Sequence, residues 1–121
     1  MAKESRREIA KRIAELSGEE LRVEPTQKYW ALKPKSGKNI VAAVVSDTDR
    51  VQFIIPSQVL RDRAKEEGFT LSPARGGMAM HEQKFYFRGL SLNDLRIRET
   101  LFRDVVMGSV EAIRDRKSGK M

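Results

Sequence analysis

The sequence predicts an α+β fold, in which an antiparallel sheet of about four or five strands packs with three helices in the order α-β-β-β-α-β-β-α. Apolar residues recur at helical spacing near both ends of the chain, alternating or β-branched runs fill the middle, and turn residues separate them. The 121 residues suit one domain, 1–121. We expect its core to span about residues 5–114 and the tail 115–121 to fray.

The first half of the chain predicts one helix and three strand regions. Ile9, Ile13 and Leu16 share one side of a helix over residues 3–16, which Gly18 ends. Residues 21–33 form one or two strands, interrupted at Pro25. The apolar run 39–45 suits a central strand covered on both faces, and residues 51–55 return beside it as its hairpin partner.

The second half predicts a helix over residues 58–67, capped by Ser57 and ended by Gly68. A short strand at 69–71 follows, and a long connection over 72–82 leads to a returning strand at 83–88. This strand–loop–strand arrangement resembles the wing of a DNA-binding protein. A capping box at Ser91 and Asp94 opens the last helix, which keeps its apolar period to about residue 114.

Composition excludes several classes of chemistry. The chain has no cysteine and one histidine, which excludes disulfides, thiolate zinc sites, iron–sulfur clusters and cysteine nucleophiles. We expect no cofactor. No apolar run approaches the roughly 20 residues that span a bilayer, and the charged N-terminus differs from a signal peptide. We therefore expect a cytoplasmic protein with no membrane partner.

The charge distribution favours a polyanionic partner. The chain carries 24 basic and 17 acidic residues, a net charge of +7, and residues 25–45 contain four lysines and no acid. A local excess of positive charge raises the nearby concentration of polyanions. We therefore expect a nucleic-acid-binding protein without enzymatic activity, with DNA favoured over RNA and duplex DNA favoured by the wing-like loop.

The candidate contacts lie on the middle strands and their loops. Lysines and arginines would meet phosphates, and tyrosines would stack on bases. Alternation along residues 83–88 turns Phe85 and Phe87 to one face and the polar side chains to the other, whereas Trp30 is expected in the core beside Leu32 and Tyr29 at the surface. The predicted nucleic-acid-binding residues are Lys33, Lys35, Lys38, Arg75, Lys84, Tyr86 and Arg88.

Two other functions fit the same residues. The basic face could hold an acidic protein, which would make the chain an accessory subunit or an inhibitor. Glu82 and Lys84 match part of the carboxylate-x-lysine signature of metal-dependent nucleases, with Asp47 or Asp49 as a second carboxylate. The match is only three residues long, so no catalytic or metal-binding residue is assigned.

The order of motifs over roughly residues 21–113 resembles the small MmcQ/YjbR-type domain. The resemblance rests on the strand openings Gly37-Lys38-Asn39-Ile-Val-Ala and Val51-Gln-Phe-Ile-Ile, on Leu60-Arg-Asp in a short helix, and on the segment that begins Gly68-Phe-Thr-Leu-Ser. It implies a winged or double-winged DNA-binding module. No catalytic residue carries over from the family.

Overall fold

In the residues that the structure describes, six antiparallel strands form one sheet, and helices pack on one of its faces. The computed structural model describes residues 2–36, 40–46, 50–73 and 83–119, with side chains described from Arg6 to Arg114 within these ranges. The elements are α1 (Ala2–Leu16), β1 (Leu21–Pro25), β2 (Tyr29–Pro34), β3 (Ala43–Ser46), β4 (Arg50–Ile54), α2 (Gln58–Glu66), β5 (Leu71–Pro73), β6 (Lys84–Arg88), α3 (Leu92–Ile97) and α4 (Glu99–Gly119).

The strand order is β1-β2-β3-β4-β6-β5, and every neighbouring pair is antiparallel. The first four strands follow the chain as a meander, and β6 then lies between β4 and β5. The α+β class and the single domain are confirmed, but the expected numbers of strands and helices were too low. Segment 21–33 forms two strands, and the last predicted helix is divided in two.

The core lies between the sheet and helices α1 and α4. Ile9 and Ile13 of α1 and Phe102 of α4 are buried with the inward residues of the strands. The register places Phe53 opposite Phe85 and Val51 opposite Phe87, so alternate residues of β4 and β6 face the helices. This confirms that the two phenylalanines of β6 share one face, and the structure places that face toward the helices.

Four phenylalanines form an aromatic cluster at the centre of this core. The ring of Phe87 lies 5.6 Å from Phe53, 5.6 Å from Phe69 and 5.2 Å from Phe102, measured between centroids. Most of these pairs are edge-on, which suits the quadrupoles of the rings. The cluster therefore joins β4 and β6 to α4 and to the segment after α2.

The turn after α2 directs Phe69 into that cluster. Gly68 has φ +99°, and the N–H of Phe69 donates to the carbonyl of Ala64 at 3.1 Å. With the bond from Gly68 N–H to Lys65, this is the Schellman ending of a helix. Because Phe69 belongs to this turn, β5 begins at Leu71 and not at residue 69, as the sequence suggested.

Two other predicted elements need correction. The central strand begins at Ala43, later than the expected residue 39, and Val44 is only half-buried because helices cover one face of the sheet. Arg98 breaks the last predicted helix with φ −110° and ψ 48°, and it separates α3 from α4. The backbone of α4 extends to Gly119, and the expected fraying of residues 115–121 stays a prediction.

The predicted helix caps are confirmed. The Ser57 side chain accepts from the N–H of Leu60, and Ser91 and Asp94 form a reciprocal capping box.

Among the helices in the described part of the chain, none is long and apolar enough to cross a membrane.

Candidate nucleic-acid interface

The sheet face that points away from the helices forms a polar surface, here called the open face. Along β4 and β6 it carries Arg50, Gln52, Tyr86 and Arg88, all of them half-buried or exposed. Along β2 it carries Tyr29, which is 40% exposed. Since each strand alternates inward and outward residues, this face collects the side chains that the core excludes.

Two arginines lie directly opposite each other on the open face. Arg50 of β4 and Arg88 of β6 are partners in the register, and both are exposed. Like charges at opposed positions of a sheet destabilise it. Neither guanidinium forms an ion pair with any residue that the structure describes. An external anion would offset this repulsion.

Two tyrosines of the open face lie near the arginine pair. Tyr29 pairs with Ser46, which adjoins Arg50 across the β3–β4 hairpin, so Tyr29, Arg50 and Arg88 form one line across four adjacent strands. The line spans three strand spacings, about 14 Å. Tyr86 lies one outward position along β6, with its ring centroid 5.4 Å from the Arg50 guanidinium carbon. We call Tyr29, Arg50, Tyr86 and Arg88 the basic row.

A buried arginine of α1 forms hydrogen bonds with the backbone of the strands that carry the basic row. The Nε of Arg6 donates to the carbonyl of Ser46 at 3.0 Å, and its Nη2 donates to the carbonyl of Arg50 at 2.9 Å. Arg6 is 8% exposed. Charge-assisted bonds of this kind are stronger than neutral ones. They hold the ends of β3 and β4 together where the row crosses them.

Lys33 also lies on the open face, but an acid partly neutralises it. Its Nζ is 3.0 Å from Glu24, which also pairs with Arg22 at 2.9 Å. The hydrogen bond from Lys33, followed by the one from Arg22, lowers the pKa of Glu24 below its ordinary value. The Lys33 side chain is only 15% exposed. It therefore contributes less to the surface than the sequence suggested.

The other predicted contacts are divided between locations. Lys84 lies on the open face with Tyr86 and Arg88, as alternation predicted. Lys35 follows β2 at the end opposite to Tyr29 and pairs with Glu19 at 3.4 Å, so it is remote from the basic row. Lys38 and Arg75 lie outside the described residues, as do Glu82, Asp47 and Asp49 of the nuclease hypothesis. Within the described ranges, no cluster of three His, Cys, Asp or Glu could hold a metal ion.

Sequence reasoning missed Arg50. The segment around it is slightly acidic, so charge did not single it out, although the inward pattern of Val51 and Phe53 assigns Arg50 to the polar face. Its position opposite Arg88 depends on β6 pairing with β4, and nothing local to either strand encodes that pairing.

Comparisons with known proteins give no further assignment: no protein-family model, curated protein or solved structure matches the chain. The resemblance to the MmcQ/YjbR-type domain stays a prediction.

Proposed function

We propose that this protein binds single-stranded nucleic acid on the open face of its sheet, as a binding protein and not as an enzyme. The observation that carries the proposal is the opposition of Arg50 and Arg88, two exposed cations that no acid of the described residues neutralises. A phosphate between or beside them would convert repulsion into attraction, and arginine suits phosphate because its planar fork donates two parallel hydrogen bonds.

The tyrosines of the basic row supply a second kind of contact, the stacking of bases. Bases of an unpaired strand stack on aromatic side chains, with a contribution of about 1–3 kcal/mol per base. Tyr29 lies two strands from Arg50 on one side and Tyr86 lies one strand from it on the other, so an aromatic ring is available for a base on each side of Arg50. This arrangement fits a chain of alternating charge and aromatic rings better than it fits an acidic protein.

A single strand suits this surface better than a duplex. Sheets that bind single strands present aromatic side chains to splayed bases, whereas a duplex keeps its bases stacked inside. The expectation of duplex DNA rests on the loop over residues 72–82, most of which lies outside the described ranges. Duplex DNA is therefore one arm of the test.

Fluorescence anisotropy with labelled single-stranded DNA, single-stranded RNA and duplex DNA tests the proposal, with salt varied from 50 to 300 mM. We expect tightest binding to a single strand. The double variant Arg50→Ala, Arg88→Ala should weaken that binding, and it should flatten the slope of log K against log salt by roughly 1.4, for two lost phosphate contacts.

Arg96→Ala is the matched control, because Arg96 is an exposed arginine of α3, outside the sheet. It should change affinity far less than either substitution in the basic row. Equal losses for Arg96→Ala and the row variants would reduce the binding to net charge alone. Weak binding to all three nucleic acids, with tight binding to one acidic protein, would favour the interaction-module hypothesis instead.

A further inference from the structure

A groove of about 400 Å³ lies on the other side of the β1–β2 hairpin, between that hairpin and α1. Arg7 and Lys11 of α1 line it on one side, and Val23, Pro25 and Trp30 line it on the other. Sites for small ligands begin at about 300 Å³, so the groove has room for a single nucleotide. None of its residues belongs to the basic row.

The strand side of the groove is apolar and aromatic. Pro25 and Trp30 are partners in the register of β1 and β2. Trp30 is half-buried and packs against the core, as the sequence predicted, but part of it remains at the groove. An indole ring beside a proline and a valine offers a flat apolar surface that suits an aromatic base.

The helix side of the groove is cationic. Arg7 and Lys11 are four residues apart, which places them on the same side of α1 with about 6 Å between their Cβ atoms. Both are exposed, and neither forms an ion pair with a residue in the described ranges. The described lining contains no acid. Two cations at this spacing suit one phosphate group.

We propose that this groove binds one nucleotide, with the base against Trp30 and the phosphate at Arg7 and Lys11. A ligand with both an aromatic ring and an anionic group satisfies the two sides together. An apolar ligand leaves the cations without a counter-ion, and an acidic peptide leaves the indole without a stacking partner.

The groove also extends the surface of the basic row, and this part of the inference rests on the proposed function. Tyr29 lies at one end of the row, and Trp30, the next residue, faces the opposite side of the sheet. The turn between β1 and β2 carries Lys28, which is exposed. A strand that leaves the row at Tyr29 and passes over this turn therefore reaches the groove.

Tryptophan fluorescence tests the groove directly, because Trp30 is the single tryptophan of the chain. Adenosine monophosphate, adenosine and inorganic phosphate are titrated separately, and a single-stranded oligonucleotide is titrated in parallel with anisotropy. We expect saturable quenching by adenosine monophosphate, weaker quenching by adenosine, and none by phosphate alone. Arg7→Ala and Lys11→Ala should each raise the dissociation constant for adenosine monophosphate about tenfold.

Two control variants separate the groove from the basic row. Arg96→Ala removes an equal charge from another helix and should leave the quenching unchanged. Arg88→Ala should leave quenching by adenosine monophosphate unchanged, but it should weaken the binding of the oligonucleotide measured by anisotropy. Quenching that survives both Arg7→Ala and Lys11→Ala would overturn the inference, as would equal quenching by an acidic peptide.

The outcomes distinguish this inference from the proposed function. One outcome is that the oligonucleotide binds by anisotropy while neither it nor adenosine monophosphate changes the Trp30 emission. In that case the groove site is wrong and the proposed function of the open face stands. If adenosine monophosphate quenches Trp30 and no oligonucleotide binds, the groove site is supported and the proposed function is wrong.

Discussion

Ser109 of α4 forms two hydrogen bonds with the backbone of Ile54 in β4: its hydroxyl donates to the carbonyl at 2.8 Å and accepts from the N–H at 3.2 Å. The register of β3 with β4 ends at the Ala43–Phe53 pair, so Ile54 lies beyond the last partner on that side. A helix side chain thus replaces the missing strand. It satisfies both backbone groups at a position where Ile54 and Ser109 are each almost fully buried.

Ser109→Ala should therefore lower the free energy of unfolding by about 1–3 kcal/mol, because it leaves buried backbone groups without partners. Urea unfolding followed by circular dichroism measures the change. Ser36→Ala, in an exposed turn, is the control and should be nearly neutral. A loss below about 0.5 kcal/mol for Ser109→Ala would mean that another group satisfies Ile54.

Tyr86 offers a test of stacking that leaves charge unchanged. Tyr86→Ala should weaken single-strand binding by about 1–3 kcal/mol, while Tyr86→Phe should keep most of the affinity because the ring remains. The salt slope should be the same for both variants, since neither removes a cation. Equal losses for the two variants in the anisotropy titration would indicate that the hydroxyl, and not the ring, makes the contact.

Glu24 restrains two cations of the open face, so its removal should strengthen binding. Glu24→Gln frees the charge of Lys33 and Arg22, and we expect tighter binding to single strands together with a salt slope steeper by up to about 0.7. Glu66→Gln, which makes the same charge change on α2, is the control. Weaker binding by Glu24→Gln would mean that the carboxylate positions Lys33 for its contact.

The same carboxylate makes a prediction for pH. The folded-state pKa of Glu24 is lowered by Lys33 and Arg22, so the ionised form is favoured in the folded protein. The stability that ionised Glu24 contributes is fully present above the pKa that Glu24 has in the unfolded chain. It is lost as pH falls through the lower pKa that Glu24 has in the folded protein. Thermal unfolding of Glu24→Gln should show a smaller loss of stability than the parent between neutral pH and the acid range. Parallel curves for the two proteins would contradict this.

Two glycines should respond in opposite directions to alanine. Gly68→Ala forces a side chain into the left-handed region at φ +99° and should destabilise the protein by about 1 kcal/mol. Gly108 lies within α4, where an added Cβ would sit 3.7 Å from the Leu60 side chain, an ordinary contact. Gly108→Ala should therefore stabilise the protein by up to about 1 kcal/mol through helix propensity. Denaturant midpoints measure both changes, and a destabilised Gly108→Ala would reveal tighter packing at Leu60.

The local parts of the fold were predictable, and the long-range parts were not. Side chains within a few residues determine the cap at Ser57, the capping box at Ser91 and the shared face of Phe85 and Phe87, so the sequence reveals these features. The insertion of β6 between β4 and β5 depends on packing across the whole sheet. That insertion creates the Arg50–Arg88 opposition, which is why the central pair of the candidate site could not be read in advance.

The residues of the groove were also predictable one by one, but their proximity in the fold was not. Alternation correctly assigned Trp30 to the covered side of β2. The spacing of Arg7 and Lys11 was visible as well, but which strand lies beside that side of α1 is decided by tertiary packing. A residue can thus be assigned to the core and still line a surface groove.

Both outer strands of the sheet end in proline, β1 at Pro25 and β5 at Pro73, and β5 is only three residues long. Proline lacks the N–H that a further ladder needs, and a short edge offers few pairing groups. A second copy of the chain therefore finds no N–H donor at the proline end of either outer strand, and little backbone along β5. Copies bound along one long nucleic acid would therefore keep separate sheets and would not pair their edge strands into a continuous β-ribbon.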